Sequence, residues 1–293
     1  METSYTTHAL EDIDEMLSVA RTGEDDLDIK TLMVLKYSLI NGQKFRVPDY
    51  GKLFDVDMNS GKLVQNYCQP FRLPYPITII EYRHPVCKES GAGVVPFDAS
   101  IVCAIEDIEK NAILVSGLYR TSIFGRRRWI PINFTAGVDS SGNIYTKAAT
   151  RAGEDWSQKT GLTDEERYGI ADIKNELSSV LILMAALACS NVQTEVVVPP
   201  EKLNKKRTKS GKHPFFSYKV LTIGGKAMSA RSVTSGVEHS SPRAHLRRGH
   251  IRRLESKTVW VNSCSVGNAR VGVVEKTYSI NPESFGRAAK VVV

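Results

Sequence analysis

Residues 163–189 read TDEERYGIADIKNELSSVLILMAALAC, and this stretch decides the fold. Thr163 and Glu166 make a capping box, in which each side chain satisfies a free backbone N–H at the helix start. Ile170, Ile173, Leu177, Leu181, Met184 and Ala188 then recur at helical spacing along one face. From Val180 to Cys189 every residue is apolar, and a helix that is apolar all round is buried on nearly every side. A bilayer needs ~20 such residues, so this run is a core helix and not a membrane span. Its Met and Leu stripe is core, with no cofactor box to invoke.

A helix so apolar needs a sheet to cover it, and the preceding sequence supplies one. Between Lys52 and Lys147 the apolar period shortens to two and β-branched residues accumulate. The expected strands are Leu63–Cys68, Ile77–Tyr82, Ser100–Glu106, Ala112–Tyr119, Arg128–Phe134 and Asn143–Lys147. Turn chemistry separates several of them, notably Asn59-Ser60-Gly61 and Asp139-Ser140-Ser141-Gly142-Asn143. Short strands at this spacing predict an antiparallel sheet rather than βαβ units. Further upstream, Leu10, Ile13, Leu17 and Ala20 predict an amphipathic helix behind a Thr7 cap. Leu32, Leu35 and Leu39 predict a second, ending at Asn41-Gly42. The fold class is therefore α+β: an antiparallel sheet backed by a buried central helix.

Downstream of the helix the composition changes. The chain has 293 residues and a net charge of +7, but residues 1–198 carry −7 and residues 199–293 carry +14. Two domains are expected on that division, an acidic α+β domain at 1–198 and a basic nucleic-acid-contacting segment at 199–293. In the latter, Lys202 to His213 reads as a linker, Phe215–Ile223 as a strand, and Gly224 to Ser241 as a flexible connection poor in large apolar residues. Thr258–Cys264 and Val271–Ile280 read as a closing pair of strands around a Val266-Gly267-Asn268 turn. A third of the chain is thus a concentrated cation, for which polyanions are the natural partners. The five cysteines are scattered and form no Cys-x-x-Cys pair, against a disulfide framework or a zinc ribbon and in favour of a reducing cytosol. The start of the chain lacks the basic and apolar regions of a signal peptide.

The densest chemistry is Arg243-Ala244-His245-Leu246-Arg247-Arg248-Gly249-His250-Ile251-Arg252-Arg253, with Trp260 following. Arginine pairs bidentately with phosphate and stacks on bases, and histidine donates to phosphate oxygens. Arg243, His245, Arg247, Arg248, His250, Arg252, Arg253 and Trp260 are therefore the candidate nucleic-acid contacts, with a solvated basic loop as the competing account. His245 and His250 with Arg247 would also suit a metal-independent ribonuclease: base, acid and a cation for the phosphorane. A histidine spacing of five is poor for a shared metal, and no metal or other cofactor is expected. Arg126, Arg127 and Arg128, next to Trp129, form a secondary basic cluster, read first as a charge-blunted hairpin or edge strand and second as a further RNA or acidic-peptide contact. Gly224-Gly225-Lys226 lacks the spacing of a phosphate loop, and His84 and Cys87 read as packing and turn residues.

The run Arg243 to His250, followed by Val259-Trp260-Val261, resembles the terminal signature of a type V-A anti-CRISPR family of phages and mobile elements. The wider order is similar too: Leu73-Pro74 before an apolar strand, the apolar helix, a Pro- and Lys-rich connection, then Phe216–Gly224. The chain has Ala244 where that signature commonly has Pro, and Ile251 where an aromatic is common. The resemblance implies loss of a CRISPR effector's messenger RNA during translation, with recognition of the nascent effector peptide. The expected function is an anti-defence protein that binds RNA in the host bacterial cytoplasm and suppresses a defence gene, with mRNA or rRNA and a nascent peptide as partners and no membrane. Two alternatives stay open: a ribonuclease in its own right, and a protein-binding inhibitor without RNA contact.

Overall fold

A computed structural model of the chain describes residues 3–20, 26–51, 53, 64, 68, 71–84, 97–123, 125–131, 134–148, 164–223, 243–247, 250–261, 264–266 and 268–273. Helices α1 (Tyr5–Ala20) and α2 (Asp26–Asn41) lead into strand β1 (Gln43–Arg46). Then come β2 (Ile77–Arg83), β3 (Phe97–Asp107), β4 (Ala112–Ile123), β5 (Arg126–Pro131), β6 (Phe134–Asp139) and β7 (Ile144–Ala148). The apolar helix is α3 (Asp164–Leu187), followed by β8 (Val192–Val197), α4 (Glu201–Lys209) and β9 (Tyr218–Ile223). Short strands end the described chain: β10 (Arg243–Arg247), β11 (His250–Arg253), β12 (Thr258–Val261), β13 (Cys264–Val266) and β14 (Asn268–Val273).

Nine strands make one sheet in the order β7-β6-β4-β3-β2-β1-β9-β8, with β5 also paired to β4. The architecture is α+β and the sheet is mostly antiparallel; β1 alone runs parallel to both its neighbours, β2 and β9. Parallel neighbours need long crossovers instead of hairpins, and residues 47–76 make the one from β1 to β2. β9 belongs to the basic stretch of the chain, yet it lies between β1 and β8 inside this sheet.

Alternation along the central strands divides the core in two. Phe45, Ile80, Tyr82, Val102 and Ala104 face α3 and pack with Leu177, Leu181 and the fully buried Leu183. Ile79, Ile101, Cys103 and Trp129 face the other way, onto Leu10, Ile13, Leu35 and Leu39 of α1 and α2. A period of two sends successive side chains to opposite faces, so the sheet is sandwiched between helices on both sides. Cys68, Cys103 and Cys189 are buried free thiols. Among the described residues no helix is long and apolar enough to cross a membrane.

The α1 side is also ionic. Glu81 of β2 is fully buried and its carboxylate takes the N-terminus of α1: the N–H groups of Tyr5 and Thr6 donate to it at 3.0 and 2.8 Å. The hydroxyls of Ser4 and Thr6 add bonds of 2.6 Å each, and Arg46 pairs with it at 2.9 Å while stacking over Tyr5. A carboxylate is the anion a helix N-terminus favours, because the first N–H groups lack intrahelical partners. The neighbouring Lys44 is buried against Phe216, and burial pushes its ammonium down to about 8 despite the attraction of Glu81.

Several expectations are corrected by these elements. Thr7 lies inside α1 and donates to the carbonyl of Pro214, so the helix cap is Glu81 across the sheet. Leu63–Cys68 is not a strand where it is described: Cys68 N–H donates to Val64 C=O at 3.2 Å, a helical bond that buries both side chains on one face. Arg128–Phe134 divides into β5 and β6, which pair in turn with the two halves of β4 after Pro131 ends the first. The linker at Lys202–His213 contains helix α4. Among the described residues Thr258–Cys264 and Val271–Ile280 are not paired with each other: β12 pairs with β11, while β13 and β14 both flank β10. The Thr163 cap and the Gly224–Ser241 connection lie outside the described residues.

Candidate nucleic-acid interface

The basic signature is distributed over strands. Arg243, His245 and Arg247 sit on β10, where His245 is opposite Val266 of β13 and Arg247 opposite Cys264. His250, Arg252 and Arg253 sit on β11, with His250 opposite Val261 of β12. The two histidines therefore belong to strands of different sheets, and strand pairing does not set them side by side. Arg248 and Gly249 lie outside the described residues.

β11 and β12 form a hairpin closed by a bond from Leu254 N–H to Lys257 C=O at 2.7 Å. Ile251 and Trp260 are directly opposite each other across it and pack, half-buried, on the α3-side core. The Trp260 backbone is held by one side chain at the end of the central helix: Asn191 donates to its C=O at 2.8 Å and accepts from its N–H at 2.7 Å. Ser190 N–H adds a bond to Thr258 C=O at 2.8 Å. An amide side chain carries both N–H donors and an acceptor oxygen, so Asn191 imitates a neighbouring strand. Trp260 is thereby the anchor of the hairpin, whose exposed cations are Arg252 and Arg253 on β11 and Lys257 in the loop. Sequence reading passed over Ser190 and Asn191, whose only signal was a polar pair at the exit of an apolar helix.

The secondary cluster at Arg126–Arg128 is built differently. Gly125 takes φ +76° in the turn between β4 and β5, and Trp129 is buried at 2% exposure. Arg128 is clamped to α1, reaching Asp12 at 2.8 Å and both carboxylate oxygens of Glu15. Those bonds to Glu15 and Asp12 raise its guanidinium above the ordinary arginine range and hold the Glu15 carboxyl below its own. Arg127 lies 3.5 Å from Asp98, and Arg126 is exposed. The other acids of α1 are engaged as well: Glu11 by Arg207 at 2.5 Å, Asp14 by Lys36 at 2.6 Å and His213 at 2.7 Å. For Asp14 burial opposes the charge, but the bonds from Lys36 and His213 outweigh it and depress the carboxyl.

The sequence profile of the anti-CRISPR type V subtype A2 family matches residues 57–257, about two-thirds of the chain. The chain belongs to that family. The match runs from before β2 to the loop of the β11–β12 hairpin, so it covers β2 to β9 of the large sheet but not β1, together with α3, α4 and the signature strands β10 and β11. No curated protein and no solved structure matches the chain.

Proposed function

We propose that this member of an anti-CRISPR family is an anti-defence protein of phages or mobile elements that binds RNA, engages the nascent peptide of a defence nuclease, and suppresses that nuclease's expression in the host bacterial cytoplasm. The observation that carries the RNA reading is the β11–β12 hairpin, which presents Arg252 and Arg253 to solvent while Asn191 and the core hold Trp260 and Ile251. Cations on a braced strand lose less orientational freedom on meeting phosphate than cations on a free tail. The +14 charge of residues 199–293 supplies the long-range attraction. Because the α1 acids are paired within the chain, selection of a basic nascent peptide falls to carboxylates elsewhere in the acidic half. Holding a peptide and the message that encodes it in one complex raises effective concentration, so neither contact needs high affinity.

Anisotropy of a labelled single-stranded RNA tests the reading. Arg252→Ala with Arg253→Ala is expected to weaken binding and flatten the salt dependence by roughly 1.4, at ~0.7 per contact. The melting temperature is expected to stay put, because both side chains are exposed. No binding by the wild type at low salt, or an unchanged slope, overturns it. Fast cleavage of naked RNA in chelator would replace binding by catalysis.

A further inference from the structure

We propose that α4, which carries none of the signature residues, is a second RNA-backbone site formed by Lys202, Lys205, Lys206 and Lys209. At ~100° per residue these four lysines fall within an arc of about 100° on one side of the helix. Asn204 and Arg207 lie diametrically opposite, and they are the residues that dock it. Asn204 donates to Phe215 C=O at 2.9 Å and accepts from Phe215 N–H at 2.8 Å. Arg207 donates to His213 C=O at 2.7 Å, pairs with Glu11 of α1, and stacks over the Phe215 ring at 4.2 Å. The helix is thus seated by its own polar face, and all four lysines are exposed.

The sign of the charge separates a binding surface from a merely soluble one. Solvated surfaces mix signs, whereas Glu201 is the single acid between residues 201 and 219, against six lysines and Arg207. Among these four lysines only Lys205 has a described carboxylate partner, Glu201 at 2.6 Å. Lysines late in a helix also complement its dipole, but that applies to the last turn and leaves Lys202 unexplained. Four point charges on flexible stems suit contact with phosphates irrespective of sequence, unlike the planar fork of arginine. The position adds to this. β8 is the terminal strand of the sheet; Asn191 at its start holds the signature hairpin and α4 follows its end. The six residues of β8 span ~20 Å, so one RNA strand rounding this edge reaches both cationic stations.

The inference rests on the RNA-binding reading above, and one set of titrations separates the two. Wild type, the Arg252/Arg253 double alanine variant and a Lys202→Ala, Lys205→Ala, Lys206→Ala, Lys209→Ala variant are titrated with labelled single-stranded RNA over a range of salt. The quadruple variant leaves Asn204 and Arg207 in place, and far-UV circular dichroism and melting verify that it is folded. The expected result is weaker binding and a slope shallower by about 2–3, at ~0.7 per phosphate contact, with the quadruple Lys→Arg variant retaining most of the affinity. Wild-type binding with an unchanged slope in the folded lysine variant overturns the α4 site and leaves the signature site standing. Failure of the wild type to bind RNA overturns both. Unchanged RNA binding with lost retention on phosphatidylserine vesicles assigns the helix to a lipid surface and overturns the proposal.

Discussion

The two faces of the sheet are held by different physics. On the α3 side, Leu177, Leu181, Ile182 and Leu183 meet Phe45, Ile80 and Val102, and the contact is almost wholly apolar. On the α1 side an ion pair is buried in the apolar layer, Glu81 with Arg46 and the helix start, and partly exposed pairs rim it: Arg128 with Asp12 and Glu15, Arg207 with Glu11. Apolar packing is tolerant of rearrangement among similar shapes, whereas a buried ion is costly in any register except the one that pairs it. The α3 side therefore supplies burial, and the α1 side ties α1, β5 and α4 to one alignment.

The largest expected effect is on the apolar face. Leu181 is 1% exposed, and Leu181→Asp would set an unpaired carboxylate in the core at a loss of roughly 4–5 kcal/mol. Global unfolding at ambient temperature is the expected readout; an unchanged melting midpoint would mean that this face is not the core. On the ionic face, Glu81→Ala removes one partner and strands the Arg46 charge and two α1 N–H groups, at about 3–4 kcal/mol. Hydrogen exchange is expected to lose protection first in α1, with Glu81→Gln recovering part of it because the amide oxygen still accepts. Equal loss of protection in α1 and α3 would erase the distinction between the faces.

The same contrast explains what could be read in the sequence. The α3 face was legible because apolar residues advertise burial: Val180 to Cys189 and the β-branched apolar run Ile77–Tyr82 placed helix and strand correctly. The apolar stripes of α1 and α2 were legible for the same reason, but the ionic ties of that face were not, because they look like surface. Three of the four residues of Gln43–Arg46 are polar and no strand is expected there, yet Lys44 and Phe45 are buried in a central strand. Helix α4 has no apolar stripe, since Asn204 and Arg207 seat it, so a Lys-rich run passed for a linker. The signature residues were identifiable as chemistry, and their division between β10 and β11 was not, because pairing partners for such short strands depend on distant residues such as Asn191.

The α3 face also carries a polar cluster, at the end of β2. Tyr82 donates to Glu176 at 3.2 Å, and His84 Nε2 lies 2.6 Å from the Ser100 hydroxyl among the rings of Tyr50, Tyr82 and Phe97. Burial lowers the His84 imidazole to about 4, against the pull of Asp98 and Asp49. An unfolded histidine takes its proton near ~6.5, so between those values the unfolded chain binds more protons. Stability contributed by this group is complete above about 6.5 and lost as pH falls towards 4, by roughly 3 kcal/mol. Urea midpoints measured across that interval are expected to fall more steeply for wild type than for His84→Phe. Parallel curves would show that His84 protonates as readily folded as unfolded.

The smallest effect probes how the signature hairpin is joined to the apolar face. Asn191→Ala deletes both bonds to the Trp260 backbone, and each half-buried group left unmatched costs about 1 kcal/mol. The loss is expected to be local, because Ile251 and Trp260 still rest on the core and Ser190 still bonds Thr258. Exchange protection is expected to drop in β11 and β12 while α3 keeps its own and the global midpoint barely moves. Asn191→Asp retains the acceptor for Trp260 N–H but sets a carboxylate beside Trp260 C=O, so it distinguishes the two bonds: restored protection would assign the clamp to the N–H alone. If presentation on a braced strand is what gives Arg252 and Arg253 their affinity, Asn191→Ala also weakens RNA binding with the salt slope intact, since no cation has been removed. A weakened affinity accompanied by a shallower slope would mean instead that the hairpin's cations had left the RNA altogether.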